Sequence, residues 1–447
     1  MSRKKSKQQK GKAAQPEKPS RRKFLTLGLG GIGALAVTGL AGYKAGWFDA
    51  SPSPAPPPAP ALAPVALQAN YQNALRAADE ITGYYARELN TPSALIHAVR
   101  AFGKDFKLAD GANAVDHLCS KYFAEQEVNG KKYIYVPREY EVHDNSFLKT
   151  LLEMGVSLDQ PITAGGNKYT LRDLGESAKA LFRFDPQNLG RYDPTLVYEH
   201  VAWGLIAFSI LVPPSQPKWT NAYGETINLN QVIDRTLAHY EGMCDGLHDS
   251  LERGEEESLG FRQELAKHSC AGMHSIYAFF SCLKAGYRDH NLQGRARQMF
   301  DLTTYRLKGD PLAIDREANA AKDLGPDLVN RLAVSQDGKV VTRGAPPPQT
   351  IEMMRLRTQI RFMGHSFEAI NYAQLHKLVA PNAGQRKRLE VGENLLFDQL
   401  VKLRATDLKP YWNWYSKFIG NLVIAVAHAA RALKLLTPGN PGNATKS

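Results

Sequence analysis

Histidine and asparagine recur along this chain with one local grammar, a polar ring or amide followed four residues later by Ala or Gly. His97/Ala101, His200/Gly204, His274/Ala278, His365/Ala369 and Asn421/Ala425 follow it, and Asn145 follows it more weakly. Four residues is one helical turn, so each pair shares a face. Imidazoles act as bases, acids or metal ligands near neutral pH, and a primary amide polarises a carboxylate or carbonyl. One such histidine is more often a satisfied core residue. The column as a set is what points to a site.

The column is densest at residues 267–286. Ile276 to Leu283 is apolar on every face, so as a helix it is buried all round. Its polar residues His268, Cys270 and His274 gather at the N-terminal end. Cys270 and His274 are four apart on one face, and Tyr277 follows three after His274. Glu199 stands beside His200, and Glu368 lies one turn after His365, where a carboxylate can fix an imidazole tautomer. For a β-elimination, Asn145 would neutralise a carboxylate, His200 or His274 would take the proton and Tyr277 would return one, with His365 in the same set. Glu199, Glu368, Asn421 and Arg191 are the candidate substrate-binding residues, together with Trp412 and Trp414 in the Tyr-Trp-Asn-Trp-Tyr run. Aromatic platforms suit stacking on sugar rings, and core packing is the alternative for that run. His143-Asp144-Asn145 and the turn from Arg191 to Pro194 read as rim residues.

No residue is assigned to a metal. Glu241, Asp245 and His248 share a helix face, with Cys244 four before His248, but their segment is amphipathic and reads as a solvated charged face. Cys119, Cys244, Cys270 and Cys282 form no CxxC pair and read as buried thiols. The chain has no GxSxG elbow, HExxH or Walker A loop, and nothing in it requires a nucleotide, haem or iron–sulfur cofactor. No cofactor is expected.

The elements that must position these residues are helices of two alternating kinds. Amphipathic segments lie at 71–89, 112–125, 170–184, 228–253, 291–323 and 385–404. Apolar ones lie around His97 and at 144–154, 194–211, 262–286, 350–379 and 410–436. An amphipathic helix needs one wall and an apolar helix needs two, so the alternation builds an inner set wrapped by an outer one. The pattern over 65–437 resembles the (α/α)6 toroid shared by many glycoside hydrolases and polysaccharide lyases. A solenoid or an irregular bundle would use the same alternation. The resemblance implies an all-α fold with parallel inner helices, their polar residues converging near the helix N-termini at one mouth. Asn129-Gly130 and Asp337-Gly338 mark two β-hairpins, with a fainter strand signal near 223–229.

Ser20-Arg21-Arg22-Lys23-Phe24-Leu25 resembles the twin-arginine export motif. It is followed by an uncharged, glycine-rich segment from Leu25 to Tyr43 and a half-proline spacer at 51–64. Gly28-x-Gly30-x-x-Gly33 matches a dinucleotide fingerprint but lies inside this segment with no strand before it, and is discarded. The resemblance implies the twin-arginine translocation machinery as a partner and a periplasmic or envelope location, through either a cleaved signal or a retained membrane anchor. Of the net charge of +12, the first 23 residues carry +9, so the body is close to neutral and has no reason to bind nucleic acid. The expected function is an exported, toroidal enzyme cleaving a glycan or other polymer by hydrolysis or β-elimination. The alternative is a non-catalytic envelope binding or scaffold protein.

Overall fold

The computed structural model describes residues 64–141, 143–184, 197–255, 265, 268–323 and 345–436; of 64–68, 197, 199, 269 and 323 it describes the backbone alone. The described residues are 69% helix and 8% strand, an all-α fold carrying small antiparallel hairpins. In chain order the helices are α1 (Pro64–Leu89), α2 (Pro92–Phe102), α3 (Ala114–Lys121), α4 (Ser146–Glu153), α5 (Leu171–Leu181), α6 (Val197–Leu211), α7 (Leu229–Glu252), α8 (Met273–Lys284), α9 (Leu292–Asp323), α10 (Thr350–Leu375), α11 (Ala383–Arg404), the short α12 (Lys409–Trp414) and α13 (Ser416–Leu435). The expected alternation is present: α2, α4, α6, α8, α10 and α13 are the apolar members, and α8 is buried at every position from Met273 to Leu283.

Local signals set the helix starts. Thr91 caps α2 through Ala94 N with Pro92 at the first position, and Thr170/Asp173 and Asn382/Gln385 form reciprocal capping boxes on α5 and α11. The apolar helices touch in chain order, α2 to α4, α4 to α6, α6 to α8, α8 to α10 and α10 to α13, and α13 also packs on α2. Each amphipathic helix lies against one or more of them. The contact of α10 with α13 is the most extensive, and Gly364 permits it: a Cβ there would stand 2.8 Å from Ala429 N. By length and composition α13 would suit a membrane span, but 78% of its most apolar window is buried inside the protein.

Among the described residues three two-stranded hairpins decorate the helices: β1 (Ala124–Val128) with β2 (Lys131–Tyr135), β3 (Pro161–Ala164) with β4 (Asn167–Thr170), and β5 (Lys218–Thr220) with β6 (Thr226–Asn228). The first turns on Asn129-Gly130 as expected, both residues at positive φ. The second was not anticipated. Its signal is Gly165-Gly166, with φ of +55° and +82°. The Asp337-Gly338 hairpin lies outside the described residues, as do the twin-arginine segment and the proline spacer.

Two helix expectations need correction. The apolar segment expected to be one helix over 262–286 is interrupted: Leu265 is helical, and α8 begins at Met273 after a turn. Cys270, Ala271 and Gly272 immediately before it have φ of +51°, +53° and +78°. The segment 410–436 divides at Tyr415, whose extended backbone separates α12 from α13. All four cysteines are buried and outside disulfides.

Candidate functional site

One histidine from each apolar helix, or from the turn leading into it, enters a single cluster, in which His274, His365 and His428 are buried and His97, His143 and His200 partly buried. His97 comes from α2, His143 from the approach to α4, His200 from α6, His274 from α8, His365 from α10 and His428 from α13. Ring centroids run in steps of 5.2 Å from His97 to His428, 3.5 Å to His365, 4.7 Å to His274, 5.9 Å to His143 and 5.5 Å to His200. Trp203 supports the two central rings, stacking at 3.8 Å on His143 and standing 3.9 Å from His274.

Hydrogen bonds fix three tautomers. His97 Nδ1 meets Ser93 O at 2.6 Å, His365 Nδ1 meets Arg361 O at 2.7 Å, and His428 Nδ1 meets Glu368 Oε2 at 2.7 Å. Carbonyl and carboxylate oxygens only accept, so each Nδ1 carries the proton and each Nε2 the lone pair. The Nε2 atoms of His365 and His428 are buried and meet no hydrogen-bond partner among the described residues. Burial holds His143, His274, His365 and His428 well below the ordinary histidine range, with neighbouring imidazoles adding to it. It lowers His97 and His200 to about 4. The cluster is therefore neutral at pH 7, and His365 and His428 keep their lone pairs on Nε2.

A thiol completes the donor set. Sγ of Cys270 and one ring nitrogen each of His274 and His365 lie within 4.8 Å of one another, all three residues buried. The left-handed backbone of Cys270 and Ala271 delivers that thiol, a conformation that costs non-glycine residues about 1 kcal/mol or more each. At Gly272 even a methyl group would collide with the Tyr240 ring, 2.3 Å away. Strain held at the point where a thiol meets two imidazoles marks a site.

Beside the imidazoles lies a buried charged network. Arg100 pairs with Glu368 at 2.6 Å and with Glu153 at 3.1 Å, Lys149 reaches Glu153 at 3.4 Å, and the Tyr277 hydroxyl donates to Glu153 at 2.6 Å. Burial opposes the charge on Arg100, but the two carboxylates outweigh it and raise its pKa. Burial also raises Tyr277 well above the ordinary tyrosine range, followed by the Glu153 charge.

Of the residues expected from the sequence, His200, His274 and His365 are in the cluster, and Tyr277 adjoins it through Glu153 and Arg100. Glu368 is central, but it orients His428 rather than its own-helix neighbour His365, whose Nδ1 is taken by Arg361 O. Asn145 begins α4 in a left-handed conformation and packs near Gly204. Asn421 lies seven residues before His428 on α13, about two turns or 10 Å away along the axis. The expectation that the column sits near helix N-termini fails for His365, because α10 is 26 residues long and starts well before the level of the cluster; on the 20-residue α13 the residue that joins the cluster is His428, not the expected Asn421. Trp414 is 5% exposed and packs against Phe418, while Trp412 faces Tyr85 at 5.7 Å; both serve packing rather than an open platform. Arg191 and the Glu199 side chain lie outside the described residues.

Sequence reasoning passed over His428 and gave His143 only a rim role. His428 carries a legible signal, since Ala432 stands four residues on. The acidic face on α7 is a solvated one: Glu241 is held by Arg295 at 2.6 Å, and a half-buried His248 stands beside the exposed Glu252. A surface depression on α1, lined by Asp79, Tyr84 and Arg87 among others, contains none of the histidines. Comparisons of the chain with protein-family models, with curated proteins and with solved structures find no match.

Proposed function

We propose that this chain is an exported metalloprotein whose buried centre binds a late first-row transition-metal ion, copper or zinc, on Cys270, His274 and His365. The observation that carries the reading is the donor set: a thiol and two imidazoles within 4.8 Å, one imidazole having its Nδ1 tied to a carbonyl and its buried Nε2 without a partner. Metal-bound histidines are oriented through their other ring nitrogen in this way. Soft and borderline donors select copper and zinc over magnesium and calcium. An unpaired buried acceptor costs about 1–3 kcal/mol, a cost that coordination removes.

The scaffold in this reading is an (α/α)6 toroid. Its support is the contact order of the apolar helices, which returns from α13 to α2, with an amphipathic helix against each. Export by the twin-arginine route rests on Ser20 to Leu25. Replacing Arg21 and Arg22 by Lys should leave the chain in the cytoplasm by cell fractionation, and unchanged export would contradict that route.

Cobalt titration of the full chain tests the centre. Co(II) should produce a near-ultraviolet thiolate charge-transfer band, lost in Cys270→Ser. A wild-type chain that stays folded and spectrally silent with cobalt contradicts the proposal. The second reading, hydrolysis or β-elimination of a glycan or other polymer, draws on Tyr277 and His274 lying beside one charged network. Turnover of a glycan by metal-free protein would favour it.

A further inference from the structure

Arg431 is a buried cation with nothing to neutralise it. It is 5% exposed, its Nε meets no hydrogen-bond partner, and no carboxylate pairs with it among the described residues. A charge taken out of water needs an opposite charge and hydrogen bonds. Helix C-termini attract cations, which accounts for Lys284 as the last residue of α8. It does not account for Arg431, which stands four residues before the end of α13 and whose Nε finds no carbonyl.

The register of α10 and α13 places this cation. His428 Nδ1 meets Glu368 Oε2 at 2.7 Å, and about one turn further along both helices Asn371 Nδ2 donates to Ala432 O at 3.0 Å. The two helices therefore run parallel, and Arg431 stands at the level of Asn371 and Tyr372. Three residues after His428, it leaves α13 on the side that turns His428 toward Glu368. Two more basic groups flank the Tyr372 ring: Lys284 Nζ lies 5.6 Å from its centroid and the His376 ring 4.5 Å. The charge of Arg431 acts on Tyr372, Lys284 and His376 alike, as it must if the four share one layer. The adjoining layer, reached through Tyr277 at 4.7 Å from Tyr372, is balanced within itself, with Arg100 and Lys149 on Glu153 and Glu368. Burial holds His376 at about 4, so it is neutral at pH 7. Arg431 and Lys284 are left as uncompensated charges. Lys284 is exposed, so ions reach the layer from its side.

We infer that Arg431 and Lys284, with Tyr372 and His376 beside them, form a binding site for a small divalent oxyanion, phosphate or sulfate. A guanidinium presents a fork of N–H donors that matches two oxygens of such an ion, and an ammonium adds a point charge. The site shares no residue with Cys270, His274 and His365 and does not depend on a metal there.

Isothermal titration calorimetry of the full chain with inorganic phosphate and with sulfate tests this. Wild type should bind a single equivalent of either ion, and the two titrations show which it prefers. Arg431→Gln should weaken binding by about tenfold or more, the worth of a charge-assisted hydrogen bond. Lys284→Gln should weaken it as well, and because Lys284 is exposed this variant keeps the test decisive where loss of a buried arginine unfolds the chain. Arg404→Gln, which removes a surface cation paired with Glu80, should bind as wild type does. Cys270→Ser should also bind as wild type does; loss of binding there would mean that the anion sits on the metal and would overturn this site alone. Folded wild type that binds neither ion, or undiminished binding in Lys284→Gln or in folded Arg431→Gln, overturns the proposal and leaves the metal-centre reading standing.

Discussion

His428 and Glu368 show how tightly the residues of the site depend on one another. Glu368 holds the His428 tautomer with one oxygen and Arg100 with the other, and Arg100 also neutralises Glu153. Arg100 is 4% exposed. Removing one partner of such a network strands buried charge, at about 3–5 kcal/mol. Arg100→Met should therefore lower the urea-derived stability by that amount. Arg404→Met, which breaks the exposed pair with Glu80, should change it by less than about 1 kcal/mol. Equal effects from the two variants would mean that the network carries no special weight. Much of this was legible as residue types: His200, His274, His365, Glu368 and Tyr277 could be named from spacing alone. Their pairings could not, because Arg100 and Glu368 are 268 residues apart and only the packed helices bring them together.

At the scale of elements, the alternation of apolar and amphipathic helices was readable because each kind imposes a different hydrophobic period on the chain. What stayed hidden was register. The site was assumed to lie at helix N-termini, which led to Asn421 on α13 where the residue that arrives is His428. The vertical position of α13 is set by its packing on α10 through Gly364, a tertiary matter that periodicity does not encode. Gly364→Ala should therefore destabilise the protein by about 1–3 kcal/mol, because its Cβ meets backbone atoms of Ala429. Gly420→Ala, with open space around its Cβ, should be neutral or stabilising by up to about 1 kcal/mol. Thermal unfolding of the two variants tests the point, and a neutral Gly364→Ala would contradict it. The turn before α8 was likewise unreadable, since the chain there looks helical and only the close approach of Tyr240 to Gly272 explains its left-handed path.

For the whole molecule, composition and pattern led to an all-α class, and the structure is mostly helical. The proposed metal centre was not foreseen. The residues that would hold it lie from 4 to 95 residues apart in sequence, without any compact motif, and they meet only because α10 brings His365 against the turn and helix start that carry Cys270 and His274. The central claim is that Cys270 and the surrounding imidazoles bind a metal. Zinc-edge X-ray absorption on the full chain, loaded and then dialysed, tests it most directly. The account predicts retained zinc with a sulfur neighbour at about 2.3 Å and imidazole nitrogens at about 2.0–2.1 Å, the sulfur disappearing in Cys270→Ser. A folded chain that keeps no zinc, or zinc surrounded only by oxygen, would contradict it.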